Sequence, residues 1–499
     1  MTVNAAYATL ETRHRRLSAI RGAQAILGWD QSVIMPTGSN EDRAEQQATL
    51  SVLAHELQTA PDMGDLLAEA GAGGGLDDWQ AANLREMRHH WAHASALPSD
   101  LVEAFSKACT RAEVIWREAK RTSDFALLKP ALATVLDLTR RTGEAKGAVL
   151  GLTVYDALLD AYEPGGRAER VDAVFDELEA FLPALARTVM ERQAALGALL
   201  PLVGPFAVEA QKRLGLEMMK AVGFDFDKGR LDVSAHPFTG GTPDDIRITT
   251  RYDETDFARA LMGVLHETGH AMYEAGLPTA WRHQLVGGAR GMTLHESQSL
   301  LLEMQACRGR PFIEWAAPRM AAAFGGTGPA WTAANIHRIY TTVKPDFVRV
   351  DADEVTYPLH VILRYRLERA MVAGDLRLED LPGAWNEGMK RLLGIVPPTD
   401  TLGCLQDIHW PSGGWGYFPT YTLGAVAAAQ LFAAAKLADP SIEPGLARGD
   451  FAPLFGWLRV NVHGVGSRLS TEGILVAATG APLGVAAFRR HLESRYVGA

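Results

Sequence analysis

From Val3 to about Leu200 the apolar residues recur at the three-to-four spacing of a helix face. FDELEAFLPALARTVMERQAALGALL (175–200) is an example, and β-branched alternation is almost absent, so the first half is predicted to be helical. The pattern changes at LDVSAHPFTGGTPDDIRITTRYD (231–253), where two short alternating runs flank Gly-Gly-Thr-Pro-Asp-Asp; this predicts a hairpin with a longish loop. Next comes a helix that Thr255 or Asp253 can cap. It carries Phe257, Leu261, Val264 and Leu265 inward and stops at Gly276, with Pro278 just beyond. Helical spacing resumes from Leu294 and through LHVILRYRLERAMVAG (359–374), and the last hundred residues mix helices with glycine-rich loops such as PSGGWGYFP (411–419).

The fold expected from this pattern is mainly α. Length alone would suggest two to four domains, but no Ser/Gly/Pro-rich linker or block of like charge marks a boundary among the 499 residues. One large two-lobed domain, 1–499, is therefore preferred, with a helical half over 1–200 and a second half over 201–499. The net charge of -10, with acids spread along the chain, lacks the basic stripe of a nucleic-acid-binding protein. Cys109, Cys307 and Cys404 are odd in number and far apart, giving neither a disulfide framework nor a cysteine zinc knuckle, which suits a reducing cytoplasm. The N-terminal MTVNAAYATLETRHRR has no secretory pattern. The most membrane-like stretch, YTLGAVAAAQLFAAAKLA (421–438), is interrupted by Gln430 and Lys436 and reads as a buried helix. A soluble cytoplasmic protein with no membrane partner is expected.

The helix after the sheet carries His-Glu-Thr-Gly-His. Residues four apart on a helix lie nearly above one another, so His266 and His270 can offer two imidazoles to one cation. Glu267 is rotated to one side, where its carboxylate can take a proton from water and pass it to a leaving amine. The pattern arises by chance in roughly one chain of this kind in forty, and its place on a periodic helix beside a sheet favours a catalytic zinc site. Such a site needs a third ligand. TLHESQSLL (293–301) offers His295 and Glu296 at the start of another helix, although Thr293 to Glu296 also fits a capping box. Residues 271–276, AMYEAG, lack the metzincin third-histidine extension, which favours a glutamate; His295 is then a neighbour that orients or shields the metal, or a plain structural histidine.

The chain closely resembles the thermostable, Taq-type family of zinc metallocarboxypeptidases. The resemblance rests on HPF (236–238), DIRIT (245–249), HETGH (266–270), HESQS (295–299), VRVDAD (348–353) and GCLQDIHW (403–410), with weaker likeness in GWDQSVIMP from Gly28 and YDALLDAYEPG from Tyr155. It implies a mostly helical fold with a deep active-site groove, a small sheet beside the zinc helix, N-terminal helices forming a lid, and a homodimer. It also implies His266, His270 and Glu296 as ligands of one Zn2+ per chain, for which Co2+ can substitute, and Glu267 as general base. Val348 stands where the family usually has isoleucine, a change that touches only local packing.

A carboxypeptidase must recognise a free C-terminal carboxylate, for which an arginine fork is the best partner, and Arg349 and Arg247 are the candidates. Each has a structural alternative: Arg247 an ion pair with Asp245, Arg349 one with Asp351 or Asp353. His409, Tyr417 and Tyr421, in a glycine-rich loop, are candidate donors to a developing oxyanion, or else core aromatics; His236 is substrate-lining or a turn residue. The function expected is release of single C-terminal amino acids from peptides, without an organic cofactor. The alternatives are an endopeptidase or dipeptidase at the same metal, and a helical binding protein with a vestigial site.

Overall fold

The computed structural model describes residues 4–498, so Val3, where the helical pattern begins, lies outside the described residues. The first half is a succession of helices: α1 (Ala5–Val33), α2 (Asn40–Gln58), α3 (Met63–Ala72), α4 (Asp78–Ser95), α5 (Ser99–Thr122), α6 (Phe125–Leu150), α7 (Val154–Leu159), α8 (Ala168–Ala195) and α9 (Val208–Val222). Short polar side chains start several of them. Asn4 accepts from the Tyr7 amide, Asp77 and Gln80 close a capping box on α4, and Asp124 caps α6, which ends at Gly151 with φ 68°.

A small sheet follows, of β1 (Gly229–Val233), β2 (Thr239–Thr242) and β3 (Asp245–Thr250) in the order β1-β3-β2. The predicted hairpin was only half of this. The run around Leu231 pairs in parallel with β3 (Leu231 beside Ile248), and the antiparallel partner is the glycine-rich β2. Alternation identifies a half-buried strand but not the direction of its neighbour, and β2, Thr-Gly-Gly-Thr, carries no alternation at all. Gly241, at φ 90°, makes the turn possible, because a Cβ there would stand 2.1 Å from the Asp245 carbonyl oxygen.

The second half contains α10 (Phe257–Gly276), α11 (Met292–Leu300), α12 (Arg310–Phe324), α13 (Ala333–Tyr340), α14 (Tyr357–Ala373), α15 (Leu381–Leu393), α16 (Pro419–Ala438), α17 (Ile442–Leu446), α18 (Ala452–Asn461), α19 (Thr471–Thr479) and α20 (Ala486–Leu492). Phe257, Leu261, Val264 and Leu265 of α10 are buried as predicted, but its cap is Asp256, whose Oδ1 accepts from the Arg259 amide at 3.1 Å. Asp253 instead closes a local turn with Thr255, accepting from its amide and hydroxyl.

One continuous core runs from Trp116 to Leu492 and joins α5–α8 to the sheet and to α10, α11, α14 and α16. Tyr7, Leu10, Met63, Leu67, Ala70, Leu84 and Met87, from α1, α3 and α4, form a separate small core. The helical half thus contributes to both cores, α1, α3 and α4 to the small one and α5–α8 to the large one. Helix α16 has the length and apolarity to cross a membrane, and here it packs against α11, α14, α18, α19 and α20. The two interruptions of its pattern have local roles: Gln430 donates to Thr479 Oγ1 at 2.8 Å, and Lys436 pairs with Glu443.

Candidate metal centre

Helix α10 presents His266 and His270 one turn apart, and α11 brings Glu296 to the same point. Nε2 of His266 lies 4.0 Å from Glu296 Oε1, and Nε2 of His270 lies 3.5 Å from Oε2. One ligand atom from each of the three lies within 4.8 Å of the others. The glycine of His-Glu-Thr-Gly-His permits this approach, since a Cβ on Gly269 would stand 2.5 Å from the Gln298 carbonyl oxygen and 2.6 Å from Ser299 Cα. Behind Glu296, Gly424 lets α16 close in; a Cβ there would be 2.8 Å from that of Glu296.

Glu296 does not act as a helix cap. Helix α11 begins two residues earlier than a Thr293 capping box requires, after Gly291 at φ 49°, and the cap comes from outside. Glu163 Oε2 accepts from the Thr293 amide at 2.9 Å, and the Tyr162 carbonyl accepts from the Met292 amide at 2.8 Å. The Glu296 carboxylate is thereby left to face the histidines.

The Nδ1 atoms of both histidines are occupied from behind. His266 Nδ1 donates to Glu303 Oε2 at 2.9 Å, from a π-helical continuation of α11 (Leu301–Cys307), and Arg308 holds the other Glu303 oxygen. His270 Nδ1 meets His295 Nδ1 at 2.7 Å, and His295 Nε2 meets Glu274 Oε1 at 2.9 Å. One proton arrangement satisfies this chain: His295 donates through Nε2–H to Glu274 and accepts at Nδ1 from His270. In both histidines Nε2 is then the ring atom that faces Glu296. His295, left open from the sequence, thus buttresses the candidate ligand His270. Its replacement by alanine is expected to loosen the metal by about 10- to 100-fold, read as faster loss to a chelator. His295→Asn, whose Oδ1 can take the place of the Nδ1 acceptor, is expected to recover part of this; identical chelator titrations for wild type and His295→Ala would count against the relay.

The charge around the centre is that of a cation site. Burial pushes the carboxyls of Glu267 and Glu296 up from the ordinary glutamate value, with His266 opposing in both cases. Burial works against a charged His266, but Glu303, Glu296 and Glu267 outweigh it and push its pKa up to about 10; burial holds His270 well below 6.5. Three acids crowd two imidazoles, and the donor set of two imidazole nitrogens and a carboxylate oxygen fits a borderline dication such as zinc. Glu267 itself is buried, with Oε2 accepting from Thr239 Oγ1 at 2.8 Å and its backbone carbonyl accepting from the same hydroxyl at 2.9 Å.

Arg349 is buried, with Nε and Nη2 donating to Asp407 Oδ1 at 3.1 and 2.9 Å. Its partner is neither Asp351, which pairs with Arg259, nor Asp353, which caps the turn into α14. The guanidinium lies 4.8 Å from the Tyr421 ring, and the Tyr421 hydroxyl meets His409 Nε2 at 3.0 Å. The Tyr417 ring is 5.1 Å from Tyr421, and the field of Glu296 reaches both tyrosines. The structure therefore gathers Arg349, His409, Tyr417 and Tyr421 into one cluster.

Two substrate candidates are not gathered there. Arg247 is bidentate on Asp245, the ion pair weighed from the sequence, and stacks over Trp29 at 4.4 Å. His236 is an exposed turn residue whose carbonyl accepts from Ser234 Oγ at 2.6 Å. Sequence reading missed Glu303, Glu274, Thr239, Glu163 and Asp407. Glu303 left a trace, falling two helical turns after Glu296, as did Glu274, one turn after His270 on α10; Thr239, Glu163 and Asp407 are brought in by tertiary contact.

A sequence profile of the carboxypeptidase Taq (M32) metallopeptidases matches residues 9–496. The chain is 38% identical to "Thermostable carboxypeptidase 1" of Thermus thermophilus over 99% of both chains, and 36% identical to "Carboxypeptidase 1" of Bacillus subtilis over 97% of this chain and 96% of that one. Among solved structures it superposes on Trypanosoma cruzi metallocarboxypeptidase 1 with a TM-score of 0.96 at 40% identity, covering 99% of each chain. It superposes on an M32 carboxypeptidase from Deinococcus radiodurans with a TM-score of 0.93 at 36% identity, again covering 99% of each.

Proposed function

Because the chain belongs to the Taq (M32) family and is a metallocarboxypeptidase, we propose that it releases single C-terminal residues from peptides with zinc held by His266, His270 and Glu296 and with Glu267 as general base. The observation that carries this reading is the convergence of those three side chains, the two histidines held through Nδ1 from behind, beside a buried carboxylate that is not one of them. When bound, the ion supplies Lewis-acid polarisation of the scissile carbonyl and makes the attacking water more acidic.

The chain's own groups do the rest. Thr239 holds Oε2 of Glu267, leaving Oε1 to take the proton from water and return it to the departing amine. His409 is kept neutral by burial, its pKa lowered to about 4; in the tautomer with the proton on Nε2 it donates to the Tyr421 hydroxyl, which then donates onward to a developing oxyanion. Asp407 occupies Nε and Nη2 of Arg349, leaving Nη1 for the terminal carboxylate of the substrate. The single peptidase domain, the lid role of the N-terminal helices, a homodimer and a cytoplasmic setting belong to the same proposal.

The test is mass spectrometry of a mixed-sequence peptide, its C-terminally amidated twin and a chelator control. Stepwise loss of single residues from the free peptide only, abolished by the chelator, is expected. Equal internal cleavage of both peptides would point to an endopeptidase, and an intact free peptide with zinc bound to a binding protein.

A further inference from the structure

A second convergence of metal-ligating side chains lies apart from the centre described above. Helix α4 presents His89 and His93 one turn apart, and the turn after α7 brings Asp160 to both. Asp160 Oδ2 meets His89 Nε2 at 2.5 Å and His93 Nε2 at 2.9 Å, with the two rings 4.7 Å apart. The carboxylate is buried and its other oxygen is already held, accepting from the Gly165 amide at 2.9 Å and lying 3.4 Å from Arg167 Nη1. Oδ2 is therefore left to the two imidazoles. The Nδ1 atoms of both rings are buried without a hydrogen-bond partner, so neither ring is committed elsewhere. The side chains of His89 and His93 are 24% and 13% exposed, which leaves a solvent approach to the cluster.

We propose that His89, His93 and Asp160 form a second site for a borderline divalent cation such as Zn2+ or Co2+. The donors are two imidazole nitrogens one helical turn apart and a carboxylate oxygen fixed by its own hydrogen bonds, the pattern a dication of this class selects. The Nε2–Oδ2 separations are those of hydrogen bonds. A cation between the three atoms requires each ring proton to move from Nε2 to the free Nδ1, and the rings to open by about half an ångström at His93 and nearly one at His89, given ligand bonds near 2.0–2.2 Å. Lys146, half-buried and within the field of Asp160 and His93, and Arg167 add positive charge nearby. The second site is therefore weaker than the first.

Occupancy would link two parts of the fold. Helix α4 belongs to the small N-terminal core, and the segment after Asp160 carries Glu163, which caps the helix bearing Glu296. A cation here would pin the N-terminal helices to the catalytic helix.

The experiment is equilibrium dialysis of the full chain against Zn2+ at neutral pH, with bound metal counted by plasma mass spectrometry and repeated with Co2+. Two equivalents are expected for the wild type and one for His93→Gln, in which the amide keeps a hydrogen bond to Asp160 but makes a poor ligand. One equivalent is also expected for His266→Ala/His270→Ala, so failure of the catalytic-site reading would not be mistaken for failure of this one. In that double variant Co2+ should raise the melting temperature, and adding His93→Gln should remove the shift. A His266→Ala/His270→Ala chain that takes up no metal, or a His93→Gln chain that still takes up two equivalents, would overturn the proposal.

Discussion

Glu267→Gln is expected to lower peptide turnover by roughly 10²- to 10⁴-fold, the span of a lost general base, while the protein keeps its metal. The substitution preserves shape and the Thr239 contact, and it leaves His266, His270 and Glu296 with their Glu303 and His295 supports untouched. What disappears is the proton-accepting oxygen. Burial makes that oxygen a stronger base than an exposed glutamate, because desolvation pushes its carboxyl pKa up against the opposing pull of His266 and Thr239. Steady-state rates on a peptide with a free C-terminus, measured beside metal content, decide the matter: a glutamine variant that keeps more than a tenth of wild-type activity would remove Glu267 from the mechanism. His266→Ala, by contrast, should lose both metal and activity.

The second large effect is on stability. Asp407→Ala is expected to cost about 3–5 kcal/mol, because it leaves two buried guanidiniums without their shared carboxylate. Asp407 Oδ1 takes Arg349, and Oδ2 takes Arg364 Nε at 2.5 Å; the Arg364 side chain is 0% exposed. Burial alone would raise the Asp407 carboxyl, but the two arginines prevail and hold it well below the usual carboxylate range. A depressed acid stabilises the fold above its unfolded pKa of about 3.9, and that contribution fades as the pH falls. Calorimetry should therefore show a markedly lower melting temperature for the variant near neutral pH and a gap that narrows below about pH 4. Equal melting temperatures at pH 7 would mean that Gln406, which also accepts from Arg364 at 2.9 Å, carries the pair instead. Activity should fall as well, since Arg349 loses the group that orients it.

The sequence alone determined the helical character of the chain, the buried face of α10 and the coincidence of His266 and His270 on one side of it, because each depends on residues a few positions apart and on the fixed period of a helix. It also presented Glu296 as a ligand candidate, but the chain could equally have used it as a cap. That choice was made by Glu163, far away in sequence, which supplies the cap of α11 and frees the carboxylate. The partner of Arg349 was decided in the same way: Asp351 and Asp353 are close along the chain, yet a short turn points them elsewhere, and Asp407 reaches the guanidinium through the fold. The direction of the β1 pairing and the relay from Glu274 through His295 to His270 likewise rest on contacts between distant segments. Local periodicity fixes which face a side chain occupies; only the packing of helices at glycines such as Gly269 and Gly424 decides what that face meets.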